Sequence, residues 1–160
     1  MIVRLGADPS RPKYDQFCVK LTVPLRRIAE RYRDEVRIVF MDFPINPSGI
    51  SRAVAEGAAC ADRQDGFWRY HDLAFDRQGG LSRDSAAQLA AELGIDVEAF
   101  RACLDSAFPR ERVARSEAQA RRLGLSATPT IFLNGRRLHL HDLENDLPRE
   151  IDKILAEEKG

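Results

Sequence analysis

The chain has 160 residues, a length that fits one domain, and 44% of them are apolar, enough to bury a substantial core. Its 25 basic and 25 acidic residues give a formal net charge of zero, which argues against a dedicated nucleic-acid-binding protein. No run of about 18 apolar residues occurs, so the sequence predicts no membrane span. Met1 is followed by Ile2-Val3-Arg4-Leu5, which is too short and too mixed for a signal peptide.

Strand and helix patterns alternate in the first part of the chain. Ile2 to Leu5 has the composition of a short strand, and the Gly- and Pro-containing segment from Gly6 to Lys13 is typical of a loop. From Asp15 to Tyr32, apolar residues recur at helical spacing, which predicts a helix that Pro24 kinks. Val36 to Met41 is nearly all apolar, as expected of a strand buried on both faces.

A helical block is predicted from about Ile50 to Gly124. Apolar residues at helical spacing indicate five helices. Ser82 and Asp96 are predicted to be the N-caps of the third and fourth helices. Pro109 lies at a favoured first-turn position of the fifth.

A β-hairpin pattern follows the helical block. The β-branched and aromatic run from Thr130 to Leu133 begins directly after Thr128-Pro129, which is a candidate cis bond. Asn134-Gly135 is the signal of a type I′ turn, because both central positions of that turn need a positive φ angle. The sequence therefore predicts a partner strand from Arg136 to Leu140.

A last helix is predicted from Leu147 to Glu157, with an apolar stripe for burial. The order of elements is then β-α-β, a helical block, and β-β-α. This order indicates an α/β fold in which helices pack on a small mixed sheet.

The three cysteines, Cys18, Cys60 and Cys103, allow at most one internal disulfide. No Cys-x-x-Cys pair occurs, so the sequence predicts no structural zinc site. Cys60 and Cys103 both lie on apolar helix faces, and burial as free thiols is the favoured interpretation. A disulfide between them is the alternative, and it would argue for an oxidising compartment.

The three histidines give no clear site. His71 lies in an aromatic helix, which favours packing with one hydrogen bond over a catalytic role. His139 and His141 alternate with leucines and are predicted to face outward on an edge strand. Two histidines without a third ligand do not predict a metal site.

Several stretches together resemble the DsbA-like thiol–disulfide oxidoreductases, over roughly residues 14 to 157. The stretches that carry the resemblance are Val36 to Pro44, Phe67 to Leu73, Leu93 to Phe100, Ala102 to Ser106 and Thr128 to Gly135. The resemblance implies a thioredoxin-like mixed sheet with an inserted helical domain. It also implies one domain over residues 1–160, with the insertion at about 50–124.

In that family a Cys-x-x-Cys motif opens the first helix and faces a cis-proline loop. Here the matching stretch is Asp15-Gln16-Phe17-Cys18, so Cys18 takes the second cysteine position and Asp15 stands in place of the first, nucleophilic one. A carboxylate can cap the helix and interact favourably with its dipole, but it cannot exchange disulfides. The resemblance implies that Gln16, Phe17, Thr128 and Pro129 contact substrate.

Three hypotheses follow from this departure. The first is a divergent oxidoreductase without dithiol activity that retains at most monothiol chemistry at Cys18, the alternative for Cys18 being an inert, partly buried thiol. The second is a non-catalytic module that binds peptide or protein segments through Thr128 and Pro129, in a chaperone-like or adaptor role. The third and weakest is a glutathione-dependent transferase or isomerase, for which Asp15 is an odd choice because a carboxylate repels a thiolate.

The expected partners are extended peptides or unfolded protein segments, and no cofactor and no nucleic acid is predicted. The sequence does not indicate an oligomeric state. Family resemblance implies a periplasmic or extracytoplasmic location if a signal peptide was removed, and a cytoplasmic one if Met1 is native.

Overall fold

The structure is a computed structural model that describes residues 2–4, 24–44 and 49–157, with residues 2–4 described through their backbone pairing. Three predictions lie outside these residues: the loop from Gly6 to Lys13, the opening of the first helix, and the kink expected where Pro24 interrupts it.

Four short strands form one mixed sheet: β1 (Ile2–Arg4), β2 (Val39–Phe40), β3 (Thr130–Leu133) and β4 (Arg136–Leu138). Their order is β2-β1-β3-β4, with β1 parallel to β2 and all other neighbours antiparallel. The φ angles of Asn134 (49°) and Gly135 (82°) are both positive, which confirms the type I′ hairpin turn between β3 and β4. The predicted mixed sheet is confirmed, although the partner strand ends at Leu138 instead of Leu140.

The strand predicted from Val36 to Met41 is shorter than expected. Only Val39 and Phe40 pair with β1, and both are half-buried, so the prediction of burial on both faces is wrong. In the described sheet β2 lies at an edge and has one neighbour, β1, which offers it two pairing positions.

Seven α-helices occur in the described part of the chain. The described part of α1 is residues 24–31. The others are α2 (Ile50–Asp62), α3 (Phe67–Asp76), α4 (Ser85–Glu92), α5 (Val97–Asp105), α6 (Phe108–Arg122) and α7 (Leu143–Glu157). A 3₁₀ turn, Gln78–Gly80, follows α3.

Local hydrogen bonds explain where these helices begin. The carboxylate of Asp96 accepts hydrogen bonds from the backbone N–H groups of Glu98 and Ala99, each at 3.0 Å, which confirms Asp96 as the N-cap of α5. The prediction for Ser82 is wrong, because α4 begins only at Ser85. The Ser82 N–H donates to the Ser85 hydroxyl at 2.9 Å, so Ser82 belongs to the turn before the helix.

The last helix begins four residues earlier than predicted, at Leu143 instead of Leu147. The Asp142 carboxylate accepts hydrogen bonds from the N–H groups of Glu144 (3.0 Å) and Asn145 (3.4 Å). These bonds satisfy backbone donors of the first turn and extend the helix toward the hairpin.

Two large clusters of buried side chains fill the molecule. We call the first the sheet core; it joins α1, β3, β4 and α7, and its members are Leu25, Ile28, Tyr32, Phe75, Ile131, Leu133, Leu138, Leu143, Leu147 and Ile151. We call the second the helical core; it lies among α2 to α5, and its members are Ala58, Cys60, Ala61, Phe67, Tyr70, Ala74, Ala86, Leu89, Ala90, Ile95 and Phe100.

Candidate functional site

The described part of α1 packs against β3. Leu25 and Ile28 of α1 share the sheet core with Ile131 and Leu133 of β3. With Tyr32 they confirm the part of the predicted apolar face that lies in the described residues, whereas Phe17 and Leu21 lie outside them. Thr128 and Pro129, which directly precede β3, therefore lead into the strand against which α1 packs.

The Thr128–Pro129 peptide bond is cis, as the sequence suggested. Both residues are half-buried. The hydroxyl of Thr130 donates a hydrogen bond to the backbone carbonyl of Ala127 at 2.9 Å, which closes the loop around the proline. The loop thus has a defined conformation and a partly accessible surface.

An open groove runs from Pro129 along the hairpin. Its apolar lining comes from Ile131, Leu138, Leu140 and Leu143. His139 and His141 also line it and are exposed, as predicted, although both lie beyond the end of β4. Among residues 24–44 and 49–157, no group of three or more His, Cys, Asp or Glu side chains could hold a metal ion.

The opposite side of the predicted site, Asp15-Gln16-Phe17-Cys18, lies outside the described residues. The roles assigned to these four residues therefore stay predictions. The structure nevertheless constrains the chemistry of Cys18 through the other two cysteines.

Cys60 and Cys103 form a disulfide, with their Cα atoms 5.8 Å apart. The favoured interpretation of two free buried thiols is thus wrong, and the alternative is confirmed. The bond joins α2 to α5, where Cys60 is fully buried and Cys103 is half-buried. Because the sequence contains three cysteines, Cys18 is the one left without a partner cysteine inside the chain.

A second concave feature was missed by the sequence predictions. A small cavity of about 40 Å³ lies between the segment after β2, helices α2 and α3, and the turn that follows α3. Most of its wall is apolar. Its polar lining residues are Asp42, Ser51, Tyr70, His71 and Gln78.

Four polar atoms of these lining residues are buried without a hydrogen-bond partner in the described structure. They are Ser51 Oγ, Tyr70 Oη, His71 Nε2 and Gln78 Oε1. Burying polar atoms without partners is costly, so each of the four carries a desolvation penalty in the folded chain. A sequence signal existed in α2, where Ser51, Ala55 and Ala58 recur at helical spacing and present small side chains toward α3.

His71 is held by a chain of charged groups. Its Nδ1 lies 3.2 Å from the Asp72 carboxylate, which also forms a salt bridge with Arg26 of α1. Burial acts to raise the pKa of Asp72, but the hydrogen bonds from His71 and Arg26 outweigh it, so the pKa of Asp72 is lowered overall. The prediction that His71 packs with one hydrogen bond is confirmed, and Nε2 is the nitrogen left over.

Asp42, a half-buried residue of the cavity wall, has a strongly perturbed carboxyl group. Its burial among apolar side chains raises the pKa of its carboxyl group from 3.8 to about 7, while the positive charge of Arg112 and a backbone hydrogen bond oppose part of this shift. Near neutral pH the carboxyl group can therefore take either protonation state. A cationic ligand in the cavity would favour the ionised form.

Comparison with known proteins identifies the relatives of this chain. The family described as Thioredoxin matches residues 16–153. The thiol-disulfide exchange protein alpha-DsbA2 from Wolbachia pipientis has a similar fold, with a TM-score of 0.79 and 20% identity over 96% of this chain and 81% of that one. The "Probable disulfide bond formation protein D" of Bacillus anthracis is 29% identical, over 82% of this chain and 64% of that protein.

A second kind of relative is a membrane transporter. The Na(+)/H(+) antiporter NhaA of Herminiimonas arsenicoxydans is 41% identical over 122 residues. The match covers 76% of this chain but 19% of the antiporter, so the chain spans about a fifth of the length of that relative. Among the described residues, no helix has the length and apolar character that crossing a membrane requires.

Proposed function

The chain belongs to the thioredoxin family and has a DsbA-like fold, and from this premise we propose that it is a divergent thiol–disulfide oxidoreductase that has lost dithiol exchange and retains at most monothiol exchange at Cys18. The observation that carries the proposal is the Cys60–Cys103 disulfide. Because two of the three cysteines are bonded to each other, neither is a free thiol, and Cys18 has no second cysteine in the chain that could resolve a mixed disulfide. The transport named for the antiporter relatives is not part of the proposal, because this chain matches a fifth of their length.

The chemistry open to one thiol differs from that of a dithiol. The Cys18 thiolate attacks one sulfur of a disulfide such as oxidised glutathione, a bond forms to that sulfur, and the other sulfur leaves as a thiolate. In a dithiol enzyme the second cysteine would then displace the substrate. Here a second thiol from solution must attack the mixed disulfide, so turnover depends on an external thiol.

The first experiment measures exchange directly. Incubation with oxidised glutathione should add one glutathione to the chain, seen by intact mass, and Cys18→Ser should abolish the addition. Insulin reduction should stay at the uncatalysed rate. Insulin turnover comparable to that of a dithiol oxidoreductase, or undiminished glutathione addition in Cys18→Ser, would overturn the proposal.

The second experiment restores the missing cysteine. Asp15→Cys should give the chain dithiol exchange activity, because it recreates Cys-x-x-Cys at the position indicated by the family resemblance. Asp34→Cys is the matched control, since it adds a cysteine at an exposed position after α1. No gain in Asp15→Cys beyond that in Asp34→Cys would contradict the assignment of Asp15 to the nucleophile position.

A second candidate function is the binding of extended peptide segments, and the groove beside Pro129 favours it. The groove offers an apolar floor beside β4, an edge strand in the described sheet, and peptides bind such edges through main-chain hydrogen bonds. Fluorescence anisotropy with an apolar, extended peptide measures this directly. Leu140→Lys in the groove should weaken binding at least about tenfold, whereas Leu123→Lys at an exposed surface position should not. Equal affinities of the two variants would exclude the groove.

A further inference from the structure

The outer edge of β4, beside the groove at Pro129, combines a row of basic side chains with a row of apolar ones. We propose that this edge recognises an extended peptide in which an acidic residue is flanked by apolar residues. The proposal rests on the second candidate function, the binding of extended peptides, and names the class of peptide that the edge selects. It stands on the register of the hairpin, the burial of residues 136–141 and the unpaired charge of Arg137.

The register of the hairpin places Arg137 and Leu138 on opposite faces of the sheet. Leu138 lies opposite Ile131 and shares the sheet core with it. Arg137 lies opposite Phe132, which packs in a separate cluster on the α6 side. Because side chains alternate along a strand, a peptide paired with β4 would meet a basic face and an apolar face in turn.

The alternation continues past the end of β4. Arg137, His139 and His141 are exposed, whereas Leu138 is buried and Leu140 is half-buried. All five residues line the groove, whose volume is about 320 Å³, within the range of ligand-binding clefts. Five consecutive residues therefore offer a peptide one apolar side and one basic side.

The main chain of Arg137 faces the outer edge. The turn between Leu133 and Arg136 makes these two residues a hydrogen-bonded pair, so the next pair, Phe132 and Arg137, is not hydrogen-bonded. The N–H and C=O groups of Arg137 therefore point away from β3, toward the side of β4 that has no neighbour in the described sheet. An antiparallel peptide can bond to both groups.

Arg137 also has an unpaired charge in the described structure. Its neighbour Arg136 forms a salt bridge with Glu150. No salt bridge of Arg137 occurs among residues 24–44 and 49–157. A glutamate directly across from Arg137 in a paired strand would supply the missing carboxylate, and opposite charges at such positions stabilise the pairing of two strands.

The carboxylates at the start of α7 are engaged elsewhere. Asp146 accepts hydrogen bonds from the N–H groups of His141 (3.0 Å) and Asp142 (2.9 Å), and Asp142 caps the helix. His139 lies two residues beyond Arg137 on the same side, and an imidazole donates through at least one ring nitrogen in either protonation state. Arg137 and His139 together therefore favour a negatively charged acceptor in the bound peptide.

Three peptides with capped ends test the charge preference: Thr-Leu-Glu-Leu-Thr and its counterparts with Gln or Lys at the centre. In titrations followed by the amide NMR signals of the protein, the signals of β4 should shift. The affinity should be about fivefold higher for the Glu peptide than for the Gln peptide, and lowest for the Lys peptide. Arg137→Gln should remove the difference, whereas Arg101→Gln, at an exposed position of α5, should keep it.

The pairing geometry is tested on the peptide, which avoids variants that fail to fold. N-methylation of the glutamate removes the N–H group that would bond to the carbonyl of Arg137, and it should weaken binding about tenfold. N-methylation of the leucine that follows is the matched control. Its N–H group points away from β4 in the paired peptide, so the loss should be smaller.

The outcomes separate the acidic preference from peptide binding itself. Equal affinities for the Glu and Gln peptides would mean that Arg137 only keeps the edge from pairing with other chains, and would overturn the proposal while peptide binding stands. Signal shifts confined to residues outside β4 would also overturn it. If no peptide binds, including the apolar peptide of the anisotropy experiment, the second candidate function fails and the acidic preference fails with it.

Discussion

The sheet core and the helical core differ in how they treat a buried tyrosine. In the sheet core the Tyr32 hydroxyl donates to the Asp152 carboxylate at 2.7 Å and lies 3.4 Å from the carbonyl of Pro148. In the helical core the Tyr70 hydroxyl is buried without a partner in the described structure. The tyrosine hydroxyl of the sheet core is therefore hydrogen-bonded, whereas that of the helical core is not.

The two cores also differ in their side chains. The sheet core is built mainly from Leu and Ile, which bury large apolar areas and close the space between α1, the sheet and α7. The helical core contains five alanines, which bury less area and leave room for a cavity, and a disulfide ties two of its helices. The comparison teaches that the sheet core is stabilised mainly by the burial of large apolar side chains, whereas the helical core has smaller side chains and a covalent link between two of its helices.

The largest expected change in stability comes from removing the disulfide. Replacing both Cys60 and Cys103 with Ala should lower the free energy of unfolding by about 4 kcal/mol, because the bond closes a loop with a sequence separation of 43. Urea denaturation measures the change. Protection of amide hydrogens should fall more in α2 and α5 than in α7. Equal loss of protection in both cores would contradict the view that the disulfide serves the helical core.

The second effect is the pH dependence that Asp42 contributes. Its carboxyl has a pKa of about 7 in the folded chain against 3.8 ordinarily, so between these values the unfolded chain releases a proton that the folded chain keeps. The stability that protonated Asp42 contributes is therefore fully present below about pH 3.8. It declines as the pH rises from 3.8 to about 7 and is lost above about pH 7.

Asp42→Asn removes this decline, because asparagine does not titrate. The change in the free energy of unfolding caused by Asp42→Asn should therefore be more favourable at about pH 8 than at about pH 4, by on the order of 2–3 kcal/mol. Denaturation at the two pH values measures the difference, with Asp105→Asn as the exposed control. The same effect of Asp42→Asn at both pH values would show that burial does not hold the proton on this carboxyl.

A third effect concerns the close approach of α2 and α3. A Cβ added at Gly57 would lie 2.1 Å from Tyr70 Oη and 2.8 Å from Cζ, so Gly57→Ala forces the ring to move. The strain should exceed the helix-propensity gain of about 1 kcal/mol and leave a net loss of about 1–2 kcal/mol. Gly79→Ala, where a Cβ meets nothing within 4 Å, is the control in the same denaturation experiment. A stabilised Gly57→Ala would show that the Tyr70 ring moves without appreciable strain.

The smallest effect is the most direct test of the two tyrosines. Tyr32→Phe should cost about 1 kcal/mol, because it breaks the hydrogen bond from the Tyr32 hydroxyl to the Asp152 carboxylate. Tyr70→Phe should be neutral or stabilising by up to about 1 kcal/mol, because it removes a buried hydroxyl that has no partner. Thermal unfolding of the two variants measures the contrast. A loss for Tyr70→Phe as large as that for Tyr32→Phe would mean that both hydroxyls are satisfied.

Much of the fold was predictable from local patterns. Asn134-Gly135 marked the hairpin because few other residue pairs adopt two positive φ angles, and Asp96 marked the start of α5 because a carboxylate there bonds free N–H groups. One bound that failed depended on a residue outside the predicted helix: α7 begins early because Asp142 caps it. The apolar pattern that predicts a helix does not include the residue that caps it.

The sequence by itself determined the hairpin, the loop before β3 and the absence of a Cys-x-x-Cys motif, because each rests on residues close together in the chain. It also determined the fold family, through several short stretches whose order along the chain resembles that family. Only the tertiary structure decided that Cys60 and Cys103 are bonded and that Asp42, Ser51, Tyr70, His71 and Gln78 share one cavity. Those residues come from separate elements, and their meeting depends on how α2 and α3 pack against each other and against the end of β2. Packing of that kind is a property of three-dimensional contacts, which no local sequence pattern encodes.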